Sequence, residues 1–269
     1  HIIFFLIFSG CIITLFAQED TAFVPVRLNK EYAFSYITDT RDLLISPTRW
    51  NGKEWVTFAG LTGTTVLLMQ YDEKIQDWAQ ENRSEFSDTL SKYALEPWGS
   101  GMYSMPVLGL FYVQGCLFHN DRSKRVAMLG VKSFLLSGAM VQIPKYLFNR
   151  HRPYHDDPRN AFNFDGPFTG DYYKSFFSGH TTSVFAVATV VATEYRDKPI
   201  IPVICYSVAG LSALSRINDN KHWASDVLCG ALYGYAIGRL IYFRNNWGIK
   251  INPWLAGDNK GLTLNITLK

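Results

Sequence analysis

Six apolar segments recur along this chain, and they constrain its fold more than any other feature of the sequence. Glycine, alanine, serine and threonine are scattered through them, and none shows the strict alternation of a half-buried strand, so helices are favoured. The sequence therefore predicts an all-α fold, a bundle of about six apolar core helices. The segments are residues 55–71, 102–118, 126–143, 181–193, 200–214 and 227–243.

Two stretches depart from this pattern. Residues 72–95 are rich in charge with apolar side chains interspersed, which predicts an amphipathic helical insertion of one or two surface helices. Residues 261–268 alternate with period two, and Ile249 and Ile251 begin a similar pattern before a Gly-Asp-Asn-Lys-Gly sequence. That arrangement predicts a β-hairpin tail over residues 246–269, appended to the helical body.

The N-terminal segment, residues 1–17, contains no acidic residue, lysine or arginine and ends at Ala17, before a polar Gln-Glu-Asp sequence. This is typical of the apolar core and cleavage end of a secretory signal peptide whose basic start is missing. We therefore predict a partial signal peptide over residues 1–17, export to the periplasm or cell envelope, and a single domain over residues 18–269. A retained N-terminal membrane anchor is the alternative.

Whether the apolar segments cross a membrane is a separate question. Several are shorter than the roughly 20 residues that a span needs, and the mean hydropathy of −0.02 is low for a chain with several spans. In a six-span arrangement the basic loops near Arg122, Arg196 and Arg239 would share one face, which the positive-inside rule makes cytoplasmic. Such a chain would start in the cytoplasm, which conflicts with a cleaved signal peptide. The sequence thus favours a soluble or peripherally attached bundle, with an integral membrane protein as the alternative.

Composition and spacing exclude several functional classes. A net charge of +3 is too small to indicate nucleic acid, so no nucleic-acid partner is predicted. The cysteines lie singly in apolar runs without ligand-like spacing, and Asp156-Asp157 precedes Pro158 as in a loop turn. No metal site and no cofactor are therefore predicted, and the oligomeric state is left open.

The first of three polar clusters contains Lys145 and Arg152, which is followed by Pro153. On a helix the two basic residues would lie near one azimuth, two turns apart. Because proline disfavours helix at the preceding residue, Arg152 is expected to turn off the helix end into a pocket. The alternative is a solvated basic helix end, which is common.

The second cluster is Ser178-Gly179-His180, directly before the apolar segment that begins at Thr181. A Ser-Gly pair that opens a helix leaves free backbone N–H groups at the positive end of the helix dipole, which can bind a phosphate. His180 would then lie beside the anion. The alternative is a serine N-cap with an incidental histidine.

The third cluster contains Arg216, His222 and Asp226. Because His222 and Asp226 are four residues apart, they are expected to share a helix face, where the carboxylate can accept the Nδ1 proton and make Nε2 more basic. Arg216 can bind phosphate oxygens in a bidentate manner. The alternative is a surface His–Asp pair on a helix.

Together the three clusters resemble the signature of the type 2 phosphatidic acid phosphatase superfamily: Lys-x6-Arg-Pro, Pro-Ser-Gly-His and Ser-Arg-x5-His-x3-Asp. That superfamily includes bacterial acid phosphatases, lipid phosphate phosphatases and vanadium haloperoxidases. The signature covers residues 145–226, and the helical pattern extends the similarity over residues 55–243. Phe177 stands where the pattern has proline, which puts the exact position of the phosphate cradle in question.

The resemblance implies a role for each matching residue. His222 would be the nucleophile that forms a phosphohistidine, Asp226 would orient it, and His180 would be the general acid. The residues that would hold the phosphate oxygens are Lys145, Arg152, Ser178, Gly179 and Arg216. This set agrees with the clusters themselves, because cations, helix-end amides and imidazoles suit phosphoryl transfer without a metal.

These considerations predict a metal-independent phosphatase acting on a phosphomonoester or pyrophosphate. A lipid or isoprenoid phosphate is the leading substrate, with possible membrane association. A soluble periplasmic acid phosphatase of broad specificity for small phosphomonoesters is the nearest alternative. A vanadate-dependent haloperoxidase would use the same cradle, but its relatives are usually much larger. A non-catalytic membrane scaffold would leave the spacing of His222 and Asp226 unexplained.

Overall fold

Helices form most of the chain in the computed structural model, which describes residues 26–169, 173–245, 249–256 and 259–266. The predicted all-α class is confirmed for the body of the protein, and the predicted signal peptide, residues 1–17, lies outside the described residues. The helices are α1 (Lys30–Ile45), α2 (Gly52–Met69), α3 (Asp72–Glu81), α4 (Glu85–Leu90), α5 (Glu96–Ser100), α6 (Ser104–Leu117), α7 (Asp121–Met140), α8 (Gln142–Phe148), α9 (Gly179–Glu194), α10 (Ile200–Asn218) and α11 (Ala224–Arg244).

Asparagine side chains fix several helix ends. The side chains of Asn29, Asn51 and Asn120 accept backbone N–H groups at the starts of α1, α2 and α7. Asn149 ends α8 in the left-handed conformation, with φ 41°, which suits asparagine better than most residues. The chain therefore leaves α8 sharply at this point, and the long loop of residues 149–178 begins.

Helix α9 is the centre of the body of the protein, residues 25–244, and packs against α7, α10 and α11. Its side chains are buried along most of its length, which explains its lack of a polar face. One core cluster joins Val190 of α9 to Leu129 of α7 and Ile237 of α11. The segment predicted at residues 181–193 is therefore the innermost helix.

Three glycines bring α11 unusually close to α9. A Cβ atom built on Gly230 would lie 2.7 Å from the carbonyl oxygen of Ser178, and one on Gly238 would lie 2.6 Å from that of Ala186. Gly234, between them, faces the Thr182 carbonyl oxygen even more closely. Glycine at every fourth position gives one helix a groove that admits the backbone of another. The start of α9 is thereby held against the start of α11.

Three of the predicted core helices bury few of their apolar side chains. In α2 the only buried residue is Thr65, and Val56 is 75% exposed. The prediction of six core helices is therefore wrong for α2 and largely wrong for α6 and α10, because periodicity identifies a helix without showing what covers it. The exposed apolar residues are Trp55, Val56, Phe58, Val66 and Leu67 in α2, Leu110, Val113 and Leu117 in α6, and Ile200, Val203, Ile204, Leu211 and Leu214 in α10.

Among the described residues, two helical segments are long and apolar enough to cross a membrane by length and composition. Asp121–Phe148 is mostly buried within the protein, as the core helix of a soluble protein would be. Ile200–Asn218 is only 33% buried over its most apolar window, so the described part of the chain covers little of that surface. The two segments alone are weak grounds for a membrane location, and the exposed faces are the stronger observation.

Helices α3 and α4 and a π-helical turn (Ser91–Leu95) occupy the predicted amphipathic insertion. The distribution of polar residues in these helices is unusual, because Asp72 and Gln76 are fully buried. Trp78 and Phe86, in contrast, are 65% and 76% exposed. The insertion thus presents its hydrogen-bonding residues to the protein and its aromatic residues outward.

The tail lies outside the compact unit formed by residues 25–244. Its backbone forms strands β1 (Ile249–Ala256) and β2 (Asn259–Ile266), paired antiparallel with Ile249 opposite Ile266 and Ala256 opposite Asn259. Residues 257–258, which would form the turn, lie outside the described residues. The predicted β-hairpin as a whole therefore stays a prediction.

Candidate active site

The predicted site residues come from four parts of the body of the protein. Lys145 lies on α8 and Arg152 in the loop that follows. Ser178, Gly179 and His180 open α9, while Arg216 lies in the last turn of α10. His222 and Asp226 flank the start of α11.

The start of α9 has the features of an anion site. Ser178 is the N-cap residue, but its hydroxyl makes no capping hydrogen bond and instead accepts one from Thr181 Oγ1 at 2.9 Å. The first backbone hydrogen bond of the helix runs from Thr182 N to Ser178 O at 3.0 Å. The amide groups of the turn before Thr182 are thus directed out of the helix end, where they can bind an anion. The alternative, in which Ser178 is an ordinary N-cap, does not fit this geometry.

Lys145 and Arg152 are not on one helix, and Arg152 leaves the helix end as the following proline predicts. Helix α8 ends at Phe148, and the two side chains instead bind consecutive carbonyl groups of a neighbouring segment. Arg152 Nε donates to Tyr173 O at 3.0 Å, and Lys145 Nζ donates to Lys174 O. A Cβ atom on Gly179 would lie 3.5 Å from Lys145 Cε, so Lys145 contacts the start of α9 directly.

Arg216 is the third cation, and it is 6% exposed. Its Nη1 lies 3.1 Å from Asp219 Oδ2 and 4.0 Å from Glu96 Oε1. Its Nε makes no hydrogen bond with any residue in the described part of the chain. A buried guanidinium with an unused donor is costly unless a ligand satisfies it, and a phosphate oxygen is a suitable acceptor.

His222 does not lie on the helix that carries Asp226, so the predicted shared helix face is wrong. It lies in the turn before α11, which begins at Ala224, because the backbone N–H of Trp223 binds Asp226 Oδ2 at 3.0 Å and so closes the turn. His222 Nδ1 is 3.7 Å from Asp226 Oδ2 and 3.5 Å from Ser175 Oγ. Ser175 also donates to Asp226 Oδ2. Ser175 and Asp226 thus both face the Nδ1 side of the ring, and the Nε2 side remains for a substrate.

The buried surroundings set the charges of this pair. Burial lowers the pKa of His222 to about 3, with Asp226 opposing the shift and Lys145 adding to it. Burial by itself would raise the pKa of Asp226, but the charge of Arg150 and the interaction with His222 outweigh it and lower the pKa to about 2. Near neutral pH the imidazole is therefore uncharged, with its lone pair available, beside an ionised carboxylate.

His180 has a partner that the sequence did not indicate. Its Nε2 lies 2.7 Å from Glu96 Oε1, on α5. Burial and the charge of Arg216 lower the pKa of His180, whereas Glu96 opposes the shift. Gly99 lies behind His180, and a Cβ atom there would be 2.8 Å from His180 Cβ. Helix α5 thus restricts the position of this imidazole, and no motif spacing connects residue 96 with residue 180.

The insertion supports the turn that carries His222. Gln76 donates to Ile217 O at 3.1 Å and to Asn220 Oδ1 at 2.8 Å. Gln80 donates to Ile217 O and Asn218 O. In the same region Ser91 Oγ donates to Asp219 Oδ1 at 2.6 Å. The buried polar face of the insertion therefore binds the end of α10 and the turn that follows it.

One group of metal-ligand types lies close together among the described residues, and it consists of His151, His155 and Asp156. His151 Nδ1 is 2.7 Å from Asp156 Oδ1, and its Nε2 is 3.2 Å from Asp165 Oδ2. Each ring nitrogen therefore already faces a carboxylate, as in a structural ion pair. Asp156 contributes to this pairing as well as to the predicted turn.

Comparison with known proteins relates part of this chain to a family. A family model described as the PAP2 superfamily matches residues 127–248. The chain contains a PAP2 superfamily domain. All the predicted site residues lie inside the PAP2 domain, whereas Glu96 and the insertion precede it.

Curated relatives extend the similarity. A lipid A 1-phosphatase from Porphyromonas gingivalis is 41% identical over 213 residues, which make up 78% of this chain and 41% of that protein. A probable diacylglycerol pyrophosphate phosphatase from Schizosaccharomyces pombe is 34% identical over 84 residues, or 27% of this chain and 30% of that protein. The chain thus spans less than half the length of these two relatives.

The fold of the PAP2 domain is also found in a solved structure. A transmembrane PAP2 type phosphatidylglycerolphosphate phosphatase from Bacillus subtilis has a TM-score of 0.51, with 19% identity. The similarity covers 70% of this chain and 92% of that one. At this identity the likeness supports the fold alone.

Proposed function

We propose that this protein is a metal-independent phosphatase that hydrolyses the phosphomonoester of a lipid through a phosphohistidine on His222. The observation that carries the proposal is the unused donor of the buried Arg216, whose charge acts on His180 at the open start of α9. Lys145 and Arg152 add two further cations, and both act electrostatically on His222. Fixed donors around a transferring phosphoryl group are the main catalytic requirement of such reactions.

The proposed reaction has two steps. His222 Nε2 attacks phosphorus, the P–N bond forms as the P–O bond to the leaving group breaks, and His180 gives its proton to the departing oxygen. A water molecule then gives a proton to His180 and attacks phosphorus, the P–N bond breaks, and inorganic phosphate leaves. Asp226 and Ser175 hold the Nδ1 side of His222 during both steps.

The proposed substrate is a membrane lipid phosphate such as lipid A. Relatives named as lipid A phosphatases support this choice. The exposed apolar side chains of α2, α6 and α10 support it independently, because monomeric soluble proteins rarely expose large contiguous apolar patches. We propose that these faces contact lipid acyl chains, which favours a membrane-attached enzyme over the soluble alternative.

A phosphate-release panel in EDTA tests the function. Lipid A, diacylglycerol pyrophosphate and p-nitrophenyl phosphate are compared in detergent micelles. We expect release from lipid A, inhibition by vanadate and no loss in EDTA, because the groups that stabilise charge are side chains and amides. Activity that is lost in EDTA and restored by a divalent ion would refute the mechanism, and release from p-nitrophenyl phosphate alone would favour the acid phosphatase alternative.

Membrane attachment is tested by extraction. Membranes from cells that express the chain are washed with carbonate at high pH and then with mild detergent. We expect the protein to remain in the pellet after carbonate and to be released by detergent, because burying the exposed apolar faces in lipid is favoured at about 25 cal/mol per Å². Release by carbonate would show that the apolar faces are covered in another way.

A further inference from the structure

Arg150 lies between the predicted phosphate ligands Lys145 and Arg152 in sequence, but it is fully buried. Its Nη1 donates to Asp226 Oδ1 at 2.6 Å and to Ser225 Oγ at 2.7 Å. Its Nε and Nη2 donate to Ala161 O at 2.9 and 2.7 Å. This guanidinium is therefore saturated by protein groups and cannot serve as a phosphate ligand in this position.

The same guanidinium is anchored by a second carboxylate. Arg150 Nη2 donates to Asp72 Oδ2 at 2.8 Å, and both side chains are fully buried. Asp72 Oδ1 accepts the backbone N–H of Ser225 at 2.9 Å, one residue before Asp226. Asp72 is the first residue of α3, outside the PAP2 domain. A chain of buried charges thus runs from the insertion through Arg150 to the partner of His222.

This series of buried charges determines the ionisation and the orientation of the Asp226 carboxylate. An isolated carboxylate in a buried position tends to take up a proton, whereas a guanidinium at hydrogen-bonding distance keeps it ionised. Arg150 binds Oδ1 of Asp226. Oδ2 of Asp226 therefore remains for the hydroxyl of Ser175 and the backbone N–H of Trp223, and it faces Nδ1 of His222. One carboxylate oxygen of Asp226 thus binds the guanidinium that keeps the group ionised, and the other faces His222.

We propose that Arg150 and Asp72 are positioning residues of the phosphoryl-transfer reaction, which keep Asp226 ionised and aimed at His222. This inference rests on the proposed phosphatase function. It makes the insertion part of the catalytic apparatus through Asp72, although the insertion supplies neither the nucleophile nor a phosphate ligand. The competing explanation is a purely structural network of buried charges, which would affect folding without acting on His222.

The experiment compares Arg150→Met, Arg150→Lys and Asp72→Asn with the wild type by steady-state kinetics. The chain offers a matched control, because Arg159 and Asp77 form an exposed ion pair between the same loop and the same helix. Arg159→Met and Asp77→Asn break that link without reaching Asp226. Residues that orient a functional group from behind typically contribute 10–100-fold, so we expect kcat to fall by about 100-fold in Arg150→Met and about 10-fold in Asp72→Asn. We expect KM to change little, partial recovery in Arg150→Lys, and control variants within about twofold of the wild type.

Combination with Asp226→Asn separates the two explanations. If Arg150 acts through Asp226, adding Arg150→Met or Arg150→Lys to Asp226→Asn should lower kcat by less than about threefold further, because residues that act as a unit are strongly non-additive. Arg150→Lys and Asp72→Asn carry the test if Arg150→Met fails to fold. Additive losses, or a kcat in both of these variants equal to that of the controls, would overturn the inference while leaving the wild-type phosphatase activity intact. A wild-type protein that releases phosphate from no substrate would overturn the proposed function and this inference with it.

Discussion

His222→Ala is expected to abolish the phosphoenzyme and to lower kcat by at least about 10⁴-fold, because it removes the proposed nucleophile. Lys145, Arg152 and Arg216 would remain, so binding of substrate should persist and KM should change much less than kcat. The measurement is rapid-quench trapping with labelled substrate, in which the label should be stable in base and released in acid, as expected of phosphohistidine.

A suitable control for this variant is His119→Asn. His119 is an exposed histidine between α6 and α7 with φ 52°, a conformation that asparagine tolerates. It should form as much phosphoenzyme as the wild type. A labelled phosphoenzyme that persists in His222→Ala would show that another residue is the nucleophile.

The second large effect concerns His180 and depends on the substrate. If His180 protonates the departing oxygen, His180→Ala should lower kcat by about 10²–10⁴-fold on a lipid phosphate, whose alkoxide is a poor leaving group. The loss on p-nitrophenyl phosphate should be clearly smaller, because p-nitrophenolate leaves without full protonation. Comparing the two substrates in the same variant, with kcat measured over a range of pH, checks the assignment.

Glu96→Gln provides a companion to that experiment. Glu96 holds His180 Nε2 at 2.7 Å and opposes the lowering of its pKa, so its replacement should further decrease the protonated fraction of His180. We expect the same substrate dependence in Glu96→Gln, with a smaller loss. Equal losses on good and poor leaving groups in His180→Ala would contradict the general-acid assignment.

The sequence predicted which side chains lie close together more successfully than it predicted their local geometry. The helix start at Ser178 and Gly179 could be predicted because a Ser-Gly pair before an apolar run has one common structural outcome. The shared helix face of His222 and Asp226 was wrong, since a spacing of four residues also fits a turn closed by the carboxylate itself. Both arrangements bring the two side chains close, so the predicted proximity of His222 and Asp226 is correct although the predicted secondary structure is wrong.

The supporting residues could not have been found from spacing. Ser175, Glu96 and Asp72 act across long separations in sequence, and each resembles an ordinary polar surface residue when read alone. Arg150 is only two residues before Arg152, yet Arg150 is fully buried against two carboxylates, whereas Arg152 binds a backbone carbonyl in the loop. Only the tertiary fold distinguishes these two arginines.

The exposed helices illustrate a different limit. Apolar periodicity predicted α2, α6 and α10 as helices, but it could not show whether protein or lipid covers them. The insertion adds to this difficulty, because its charges suggested a solvated outer face, while Asp72 and Gln76 are fully buried. A sequence pattern indicates which residues avoid water, but it does not indicate whether protein or lipid covers them.

The glycines of α11 have a consequence for how the catalytic geometry can change over evolution. Because Gly230, Gly234 and Gly238 bring α11 onto the backbone of α9, the separation between the turn of His222 and the start of α9 is set by contact between main chains. Exchanges of core side chains elsewhere can alter the stability of the bundle without moving His222 and His180 apart. If the proposed function holds, homologous chains should therefore be free to diversify their outer helices, and hence the substrates they accept, while the reaction itself stays the same.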